Sequence, residues 1–290
     1  STPAEFVAAM VEVFALVREV LADDGTLWLN LGDSYASGGR KPRDPGQSKL
    51  HPAFTGEGNA TTSFRPDDGA KPKDLLGIPW RMALALQAAG WYLRQDIIWH
   101  KPNPMPESVT DRCTKAHEYL FLLSKSERYY FDQKAVSEPI TDSTAIRLLQ
   151  NVATQEGRYR VPGKSNGAMK AVGRKPFAPE HGGSGSSWAG HSGYRKSDGT
   201  LMVKPTRNRR SVWTVTTRPY KGAHFATFPP ALIEPCILAG SRPGGIVLDP
   251  FMGSGTTAQV ALQLGRQYVG CELNPDYAPL QQERIAKALV

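Results

Sequence analysis

The feature that most constrains this chain is a glycine-rich segment near its C-terminus, Gly244–Thr257. An apolar run ends there at Asp249, a turn containing Gly253 and Gly255 follows, and a helix is predicted from Thr256. Glycines allow turn conformations that a Cβ hinders, and they let a ligand approach the backbone closely. The pattern is typical of a nucleotide-type cofactor site at the carboxyl edge of a parallel sheet, although a purely structural turn shares it.

A second predicted strand follows that helix and brings an acid to its end. The segment Gln267–Asn274 begins with an apolar run and reaches Glu272. An acid at a strand tip about 20 residues after a glycine loop commonly binds ribose hydroxyls. The loop lacks both the G-x-G-x-x-G pattern and the Gly-Lys-Ser/Thr ending of a P-loop, which argues against NAD and ATP. The two elements together predict a nucleoside site.

The residues of the loop resemble those of one known family. Asp-Pro-Phe-Met-Gly-Ser-Gly-Thr-Thr at 249–257 is similar to the D-P-F-x-G-S-G-T motif of the amino-methylating DNA methyltransferases. This resemblance implies S-adenosylmethionine as the cofactor, with the loop behind its methionine part, Glu272 on its ribose and the segment 224–229 on its other side. The cofactor-binding residues so implied are His224, Phe225, Phe228, Pro229, Asp249, Phe251, Gly253, Ser254, Gly255, Thr256, Glu272 and Asn274.

Length and composition favour a cytoplasmic protein with one α/β core and a smaller appendage. The chain has 290 residues, 40% of them hydrophobic, and no 18-residue apolar run that would predict a membrane span. The sequence shows no charged leader followed by an apolar stretch, the pattern that would predict secretion. Three widely spaced cysteines match neither a zinc pattern nor a disulfide framework, so no metal site is predicted.

The positive charge is concentrated in one region. The net charge is +8, yet residues 151–222 contain 14 Lys plus Arg against 3 acids, a net of +11, which leaves about −3 for the rest. Such a region is typical of a surface that binds phosphate, although a solvated loop has a similar composition. Within it, Arg207, Arg209 and Arg210 form the densest cluster and are predicted to bind DNA.

Alternating helical and strand patterns predict an α/β fold with a doubly wound parallel sheet. Helices are expected over 3–21, 75–89 and 230–239, and strands over 26–31, 91–101, 117–124 and 211–216, with 129–131 extending the sheet edge. The cofactor loop comes last, which resembles the circularly permuted β-class of the family. This implies a Rossmann-like, S-adenosylmethionine-dependent methyltransferase sheet, circularly permuted, with an inserted basic target-recognition region. The predicted domains are a target-base half at 1–135 with a loop insert at 36–73, a recognition region at 136–210, and a cofactor half at 211–290.

The catalytic motif of the family is not found in this sequence. Relatives use [Asp/Ser/Asn]-Pro-Pro-[Tyr/Phe/Trp] to bind the flipped base and its amino group, whereas Phe228–Ala231 has neither a polar first residue nor an aromatic last one. The resemblance implies that this motif lies ahead of residue 1 in the chain. It also implies that the strand carrying the motif lies between the 245–249 and 27–31 strands of the sheet. The catalytic residue is therefore unknown, and we expect the motif upstream; a native start at Ser1 would instead predict an inactive or complemented enzyme.

Other residues at predicted strand ends are candidates for contact with the target base or with DNA. Asp33, Ser34 and Tyr35 follow the 26–31 strand and are expected near the base, although Asp33 serves equally well as a turn cap. The next proline-rich turn resembles a family loop that lines the base pocket, which implies DNA contacts by Lys101, Asn103 and Arg112. His117–Glu118 is expected to be structural.

The leading hypothesis is a site-specific methyltransferase acting on cytosine N4 or adenine N6 of double-stranded DNA, with a slight preference for cytosine. RNA methylation is one alternative, and an inactive DNA- or nucleoside-binding module is another. The sequence leaves open whether a paired restriction endonuclease exists and whether the enzyme forms a homodimer.

Overall fold

The computed structural model describes residues 2–36, 69–144, 205–217 and 228–288, together with the backbone of 193–195 and 201–203. Two compact units are present. One contains residues 1–131 and 211–290, and the other contains residues 132–210. Across the described ranges, no helix has the length and apolar character needed to cross a membrane.

The first unit contains five α-helices in its described residues. They are α1 (Pro3–Val20), α2 (Ile78–Ala88), α3 (Pro230–Gly240), α4 (Thr256–Gln263) and α5 (Ala278–Ala288). A capping box starts α1, because the Thr2 hydroxyl accepts from the Glu5 backbone N–H at 3.2 Å and the Glu5 carboxylate accepts from the Thr2 N–H at 2.8 Å. The helix predicted from residue 75 begins at Ile78, after Gly77 in the left-handed conformation.

Four strands of the first unit form a mixed sheet, so the prediction of a wholly parallel sheet was wrong. The strands are β1 (Thr26–Leu31), β2 (Tyr92–His100), β3 (His117–Ser124) and β8 (Val212–Thr214), in the order β1-β3-β2-β8. Strand β3 is antiparallel to both of its neighbours, and only β2 and β8 are parallel. Residues 129–131 form no strand, so the predicted extension of the sheet edge was also wrong.

Apolar side chains alternate between the two faces of the central strand β3. Phe121 and Leu123 pack against α1 and α2, where Phe14, Met82 and Leu86 complete a core cluster. Leu120 faces the other way into a second cluster. Its other members are Ile97, Trp99, Trp213, Leu232 and Cys236. Because both faces are covered, β3 is an almost continuous apolar run, the same pattern that a buried parallel strand has.

The cofactor half contains a separate parallel pair of strands, β9 (Ile246–Asp249) and β10 (Gln267–Gly270). Among the described residues, no ladder joins β9 to the four-stranded sheet. The extent of β10 also needs correction, because the strand ends at Gly270 rather than at Glu272.

The predicted 36–73 insert begins and ends at one place in the fold. The Ala36 N–H donates to the Asp74 carbonyl at 2.8 Å, and the Lys73 N–H donates to the Ala36 carbonyl at 2.9 Å. Residues 37–68 lie outside the described residues.

The second unit contains short two-stranded sheets. Strand β4 (Glu138–Pro139) pairs with β7 (Thr206–Arg207), and β5 (Gly193–Arg195) pairs with β6 (Leu201–Val203), both antiparallel.

Candidate active site

Asp249, the last residue of β9, organises the start of the glycine loop. One carboxylate oxygen accepts from the Phe251 N–H at 3.0 Å, and the other accepts from the Thr257 hydroxyl at 2.5 Å. The acid therefore joins the beginning of the turn to the first turn of α4. It fixes the path of the backbone between strand and helix.

Two glycines give the loop its shape. Gly253 has φ +50° and Gly255 has φ +83°, in the left-handed region where side chains are strained. A Cβ on Gly255 would lie 3.2 Å from the Cα of Gln281 in α5, so the loop and helix are in close contact. The Gln281 amide donates to the Gly253 carbonyl at 2.8 Å and holds the loop against α5.

Glu272 connects the tip of β10 to the same loop. Its carboxylate accepts from the Gly253 N–H at 2.7 Å and from the Asn274 N–H at 2.9 Å. The Cys271 N–H donates to the Asp249 carbonyl at 2.9 Å, which continues the pairing of β9 with β10 beyond the last strand residue. The sequence argument on spacing placed this acid correctly beside the loop, although it follows the strand rather than ending it.

The surroundings of Glu272 fit a nucleoside with an apolar portion. The residue itself is exposed, as are Leu273, which directly follows it, and Phe251 in the glycine loop, at 101% and 55%. An accessible carboxylate suits ribose hydroxyls, and adjacent uncovered apolar groups suit an adenine ring or a methionine chain. Ser254 and Thr256 are buried, and the Thr256 hydroxyl accepts from Arg284 of α5.

The remaining residues of the predicted cofactor set lie around this loop or outside the described part of the chain. Asn274 caps a short 3₁₀ turn by accepting from the Asp276 N–H at 3.0 Å. Phe228 packs on the second core cluster, and Pro229 precedes the first residue of α3. His224 and Phe225 lie outside the described residues.

The candidate residues that follow β1 differ in whether their side chains already contact other groups of the protein. One Asp33 carboxylate oxygen accepts from the Ser34 N–H at 2.9 Å and from the Ile78 N–H at 3.1 Å. It thereby caps the first turn of α2, whereas the structural alternative placed the cap in the turn that directly follows Asp33. The guanidinium of Arg112 stacks on the ring of Tyr35 at 3.9 Å from the centroid, and Ser34 is exposed.

The three predicted DNA contacts near the 101–116 turn all have protein partners. Lys101 forms an ion pair with Glu118, and Arg112 forms one with Glu107 at 2.5 Å. The Asn103 amide exchanges two hydrogen bonds with the Thr217 backbone, at 3.1 and 3.0 Å. The Asn103–Thr217 hydrogen bonds position the turn after β2 against the segment after β8.

Comparison with known proteins identifies the family. The profile of the N6_N4_Mtase family, described as DNA methylase, matches residues 1–283. The chain belongs to this DNA methylase family. It is 44% identical to the Type II methyltransferase M.SmaI of Serratia marcescens over 285 residues, covering 98% of this chain and 75% of the relative. It is also 44% identical to M.Cfr9I of Citrobacter freundii, covering 98% and 73%.

Solved structures show the fold of this DNA methylase. The PvuII DNA methyltransferase (cytosine-N4-specific) matches 97% of the chain and 71% of its own, with a TM-score of 0.56 at 16% identity. The protein TTHA0409 from Thermus thermophilus, complexed with S-adenosyl-L-methionine, matches 98% of the chain and 78% of its own, with a TM-score of 0.52 at 18% identity. The predicted Rossmann-like methyltransferase fold and the amino-methylating DNA methyltransferase family are therefore confirmed.

Several residues of the methylase that hold the loop were not singled out from the sequence. Gln281 and Arg284 of α5 and Thr257 of α4 all bond to loop residues. Thr257 ends the 249–257 motif, whereas Gln281 and Arg284 are polar positions on an amphipathic helix, which are common on any protein surface. Glu118 was expected to be structural, yet it lies at the carboxyl edge beside Gly32.

The three arginines predicted to bind DNA, Arg207, Arg209 and Arg210, lie in the second unit. Arg207 lies on β7, and its guanidinium is 3.6 Å from the carboxylate of Glu138 on the paired strand β4. Arg209 and Arg210 follow after Asn208 and also interact with other residues. Their role in DNA binding stays a prediction.

Proposed function

We propose that this methylase transfers a methyl group from S-adenosylmethionine to the exocyclic amino group of cytosine (N4) or adenine (N6) in double-stranded DNA, as a Type II modification enzyme. The family match over residues 1–283 carries the reaction class, and the bonded set of Asp249, Gly253 and Glu272 carries the cofactor assignment. Neither the RNA alternative nor the inactive module is favoured by the Type II relatives.

In this proposal the loop residues hold and orient the cofactor. Glu272 would accept from the ribose hydroxyls while still bonded to the Gly253 N–H, which ties ribose position to loop position. Phe251 and Leu273 would cover apolar parts of the ligand and exclude water from them. When bound, S-adenosylmethionine supplies a methyl group on a cationic sulfur.

We place the target base at the carboxyl edge of β1, where Ser34 is exposed and the Tyr35 ring is held by Arg112. Sites in open α/β sheets form beyond the carboxyl ends of strands. Because Asp33 already caps α2, its expected part here is to fix the Gly32–Tyr35 backbone rather than to accept a proton. The base would be flipped out of the duplex to reach this edge.

The order of the elements supports a circularly permuted arrangement. The elements proposed for the target base, α1 to β3, come first along the chain, and the cofactor elements β9 to α5 come last. The second unit, 132–210, lies between them in sequence, in the position proposed for target recognition.

Neutralising Arg209 and Arg210 is expected to weaken DNA binding and to flatten its salt dependence. If both contact phosphate, the R209Q/R210Q variant should lower the slope of log Kd against log salt by about 2, since each contact contributes roughly 0.9. Fluorescence anisotropy at several salt concentrations measures this slope. R94Q is the control for loss of an arginine elsewhere. Arg94 is exposed near the first residue of β2, away from the carboxyl end of that strand, and its guanidinium donates to the Tyr129 hydroxyl at 3.2 Å. An unchanged slope in the double variant would contradict the assignment.

The base choice is decided by direct analysis of the product. DNA from cells that express the full-length gene should contain N4-methylcytosine or N6-methyladenine at one short sequence, measured by nucleoside mass spectrometry and sequencing. A tritiated-methyl transfer assay on DNA and RNA provides the in vitro comparison. Methyl incorporation into RNA only, or into neither polymer, would refute the proposed function.

A further inference from the structure

The Lys101–Glu118 ion pair is fixed at the carboxyl edge of the sheet by its neighbours. Lys101 directly follows β2, and Glu118 is the second residue of β3, where it pairs in register with Trp99. The two side chains are only 19% and 24% exposed. The Lys101 Nζ also lies 4.2 Å from the centre of the Trp99 ring.

The Trp99 ring is a rigid support for this ammonium group. It is 3% exposed, and its indole N–H donates to the Val215 carbonyl at 2.8 Å. An ammonium group between an immobilised indole face and a carboxylate has few alternative positions. The position of the Lys101 ammonium group is therefore well defined, despite the length of the side chain.

An exposed glycine leaves this pair accessible from the site. Gly32 directly follows β1, and a Cβ built on it would lie 3.8 Å from Glu118 Oε1. The carboxylate thus lies just beneath the surface, at the strand end where we place the target base. Any larger residue at position 32 would cover it.

The charge of the pair argues against a phosphate as the DNA group that Lys101 contacts. A phosphate would have to compete with a carboxylate that already neutralises the ammonium group, and the exchange would leave Glu118 partly buried without its partner. A lysine with its charge balanced by an adjacent acid can still donate its remaining N–H groups to a neutral acceptor.

We propose that Lys101 contacts an acceptor atom of the target base rather than a phosphate, and that Glu118 is the positioning residue that holds it there. This inference rests on the proposed location of the target base at the carboxyl edge of β1. Cytosine offers O2 and N3 as acceptors and adenine offers N1, so a donor at this point suits either target while leaving the amino group unengaged. Glu118 also prevents Lys101 from binding backbone phosphates of unrelated DNA.

Two variants separate a base contact from a phosphate contact. K101Q is expected to lower kcat/KM on cognate DNA at least 10-fold while leaving the salt slope of DNA binding unchanged, since no counterion is released by this residue. E118Q frees the ammonium group for phosphate. It is expected to steepen the slope by up to about 1 and to lower the ratio of cognate to non-cognate affinity about 10-fold, whereas E118D should largely restore that ratio.

K287Q is the matched control, because Lys287 also pairs with a glutamate, Glu283, but on the surface of α5. It should change neither the rate nor the slope. A slope reduced by about 1 in K101Q would identify a phosphate contact, and an unchanged kcat/KM would identify a purely structural pair; either result overturns the proposal. Melting temperature and S-adenosylmethionine affinity are measured for each variant, so that misfolding is recognised. An inactive wild-type enzyme expressed from the full-length gene would refute the proposed function itself, whereas failure of these variants in an active enzyme refutes only this inference.

Discussion

Replacing Glu272 with glutamine is expected to weaken binding of S-adenosylmethionine by about 10- to 100-fold. The carboxylate accepts from the Gly253 and Asn274 N–H groups, whereas a glutamine side chain offers one oxygen and one NH₂. One backbone donor would then face another donor, and the acceptor for the ribose would be lost. A hydrogen bond to a charged group contributes about 1.5–3 kcal/mol, and each 1.4 kcal/mol is about a factor of ten in Kd. Isothermal titration measures the change directly.

E283Q is the matched control for E272Q. It makes the same chemical change in the same half of the protein, at an exposed residue whose pKa is lowered by hydrogen bonding and attraction to Lys287. Its cofactor affinity should equal that of the wild type. A 2′-deoxyribose analogue of the cofactor then tests the direct contact: the wild type should lose affinity for it and E272Q should lose little more. Binding by E272Q within twofold of the wild type would contradict the role of Glu272.

The cofactor loop was the part of the site most completely predictable from sequence. Asp249 and the glycines act through short-range backbone geometry, and Glu272 comes beside them because β10 pairs with β9. Gly253 and Gly255 take positive φ values that a loop of this type requires. The supports from Gln281 and Arg284 were not predictable, because they depend on how α5 packs on the loop.

The direction of β3 was missed for a physical reason. A strand buried on both faces has the same apolar run whether it is parallel or antiparallel to its neighbours. One feature did favour the antiparallel arrangement. The 101–116 connection between β2 and β3 has several prolines and no helical periodicity, whereas a parallel pair needs a crossover that is usually a helix.

The candidates near the target base show what strand ends alone do not determine. The ends of the predicted strands placed Asp33 and Lys101 at one edge of the sheet. They did not determine which groups these charged side chains would contact. Asp33 caps α2, and Lys101 pairs with Glu118. Those partners come from segments 45 and 17 residues away in the chain. Such partners depend on the tertiary fold and not on where a strand ends.

Replacing Phe121 with alanine is expected to lower the free energy of unfolding by about 3–5 kcal/mol, the usual cost of deleting a fully buried phenylalanine. Phe121 is fully buried in β3, the strand that joins β1 to β2. Its ring meets Trp80 edge-on at 5.1 Å and stacks on Tyr119 at 5.8 Å, so the truncation removes aromatic contacts as well as apolar burial. Urea unfolding followed by circular dichroism should show a lower midpoint at an unchanged m-value.

The matched control is the same substitution at Phe131, which stacks on Trp28 at 6.4 Å but keeps 39% of its surface exposed. Since less area leaves water there and no enclosed cavity forms, F131A should cost no more than about 1 kcal/mol. The comparison tests the core on the α1 and α2 side of β3, because only a side chain enclosed there makes residue 121 so much more costly than residue 131. Equal losses in the two variants would contradict the enclosure of Phe121 in that core.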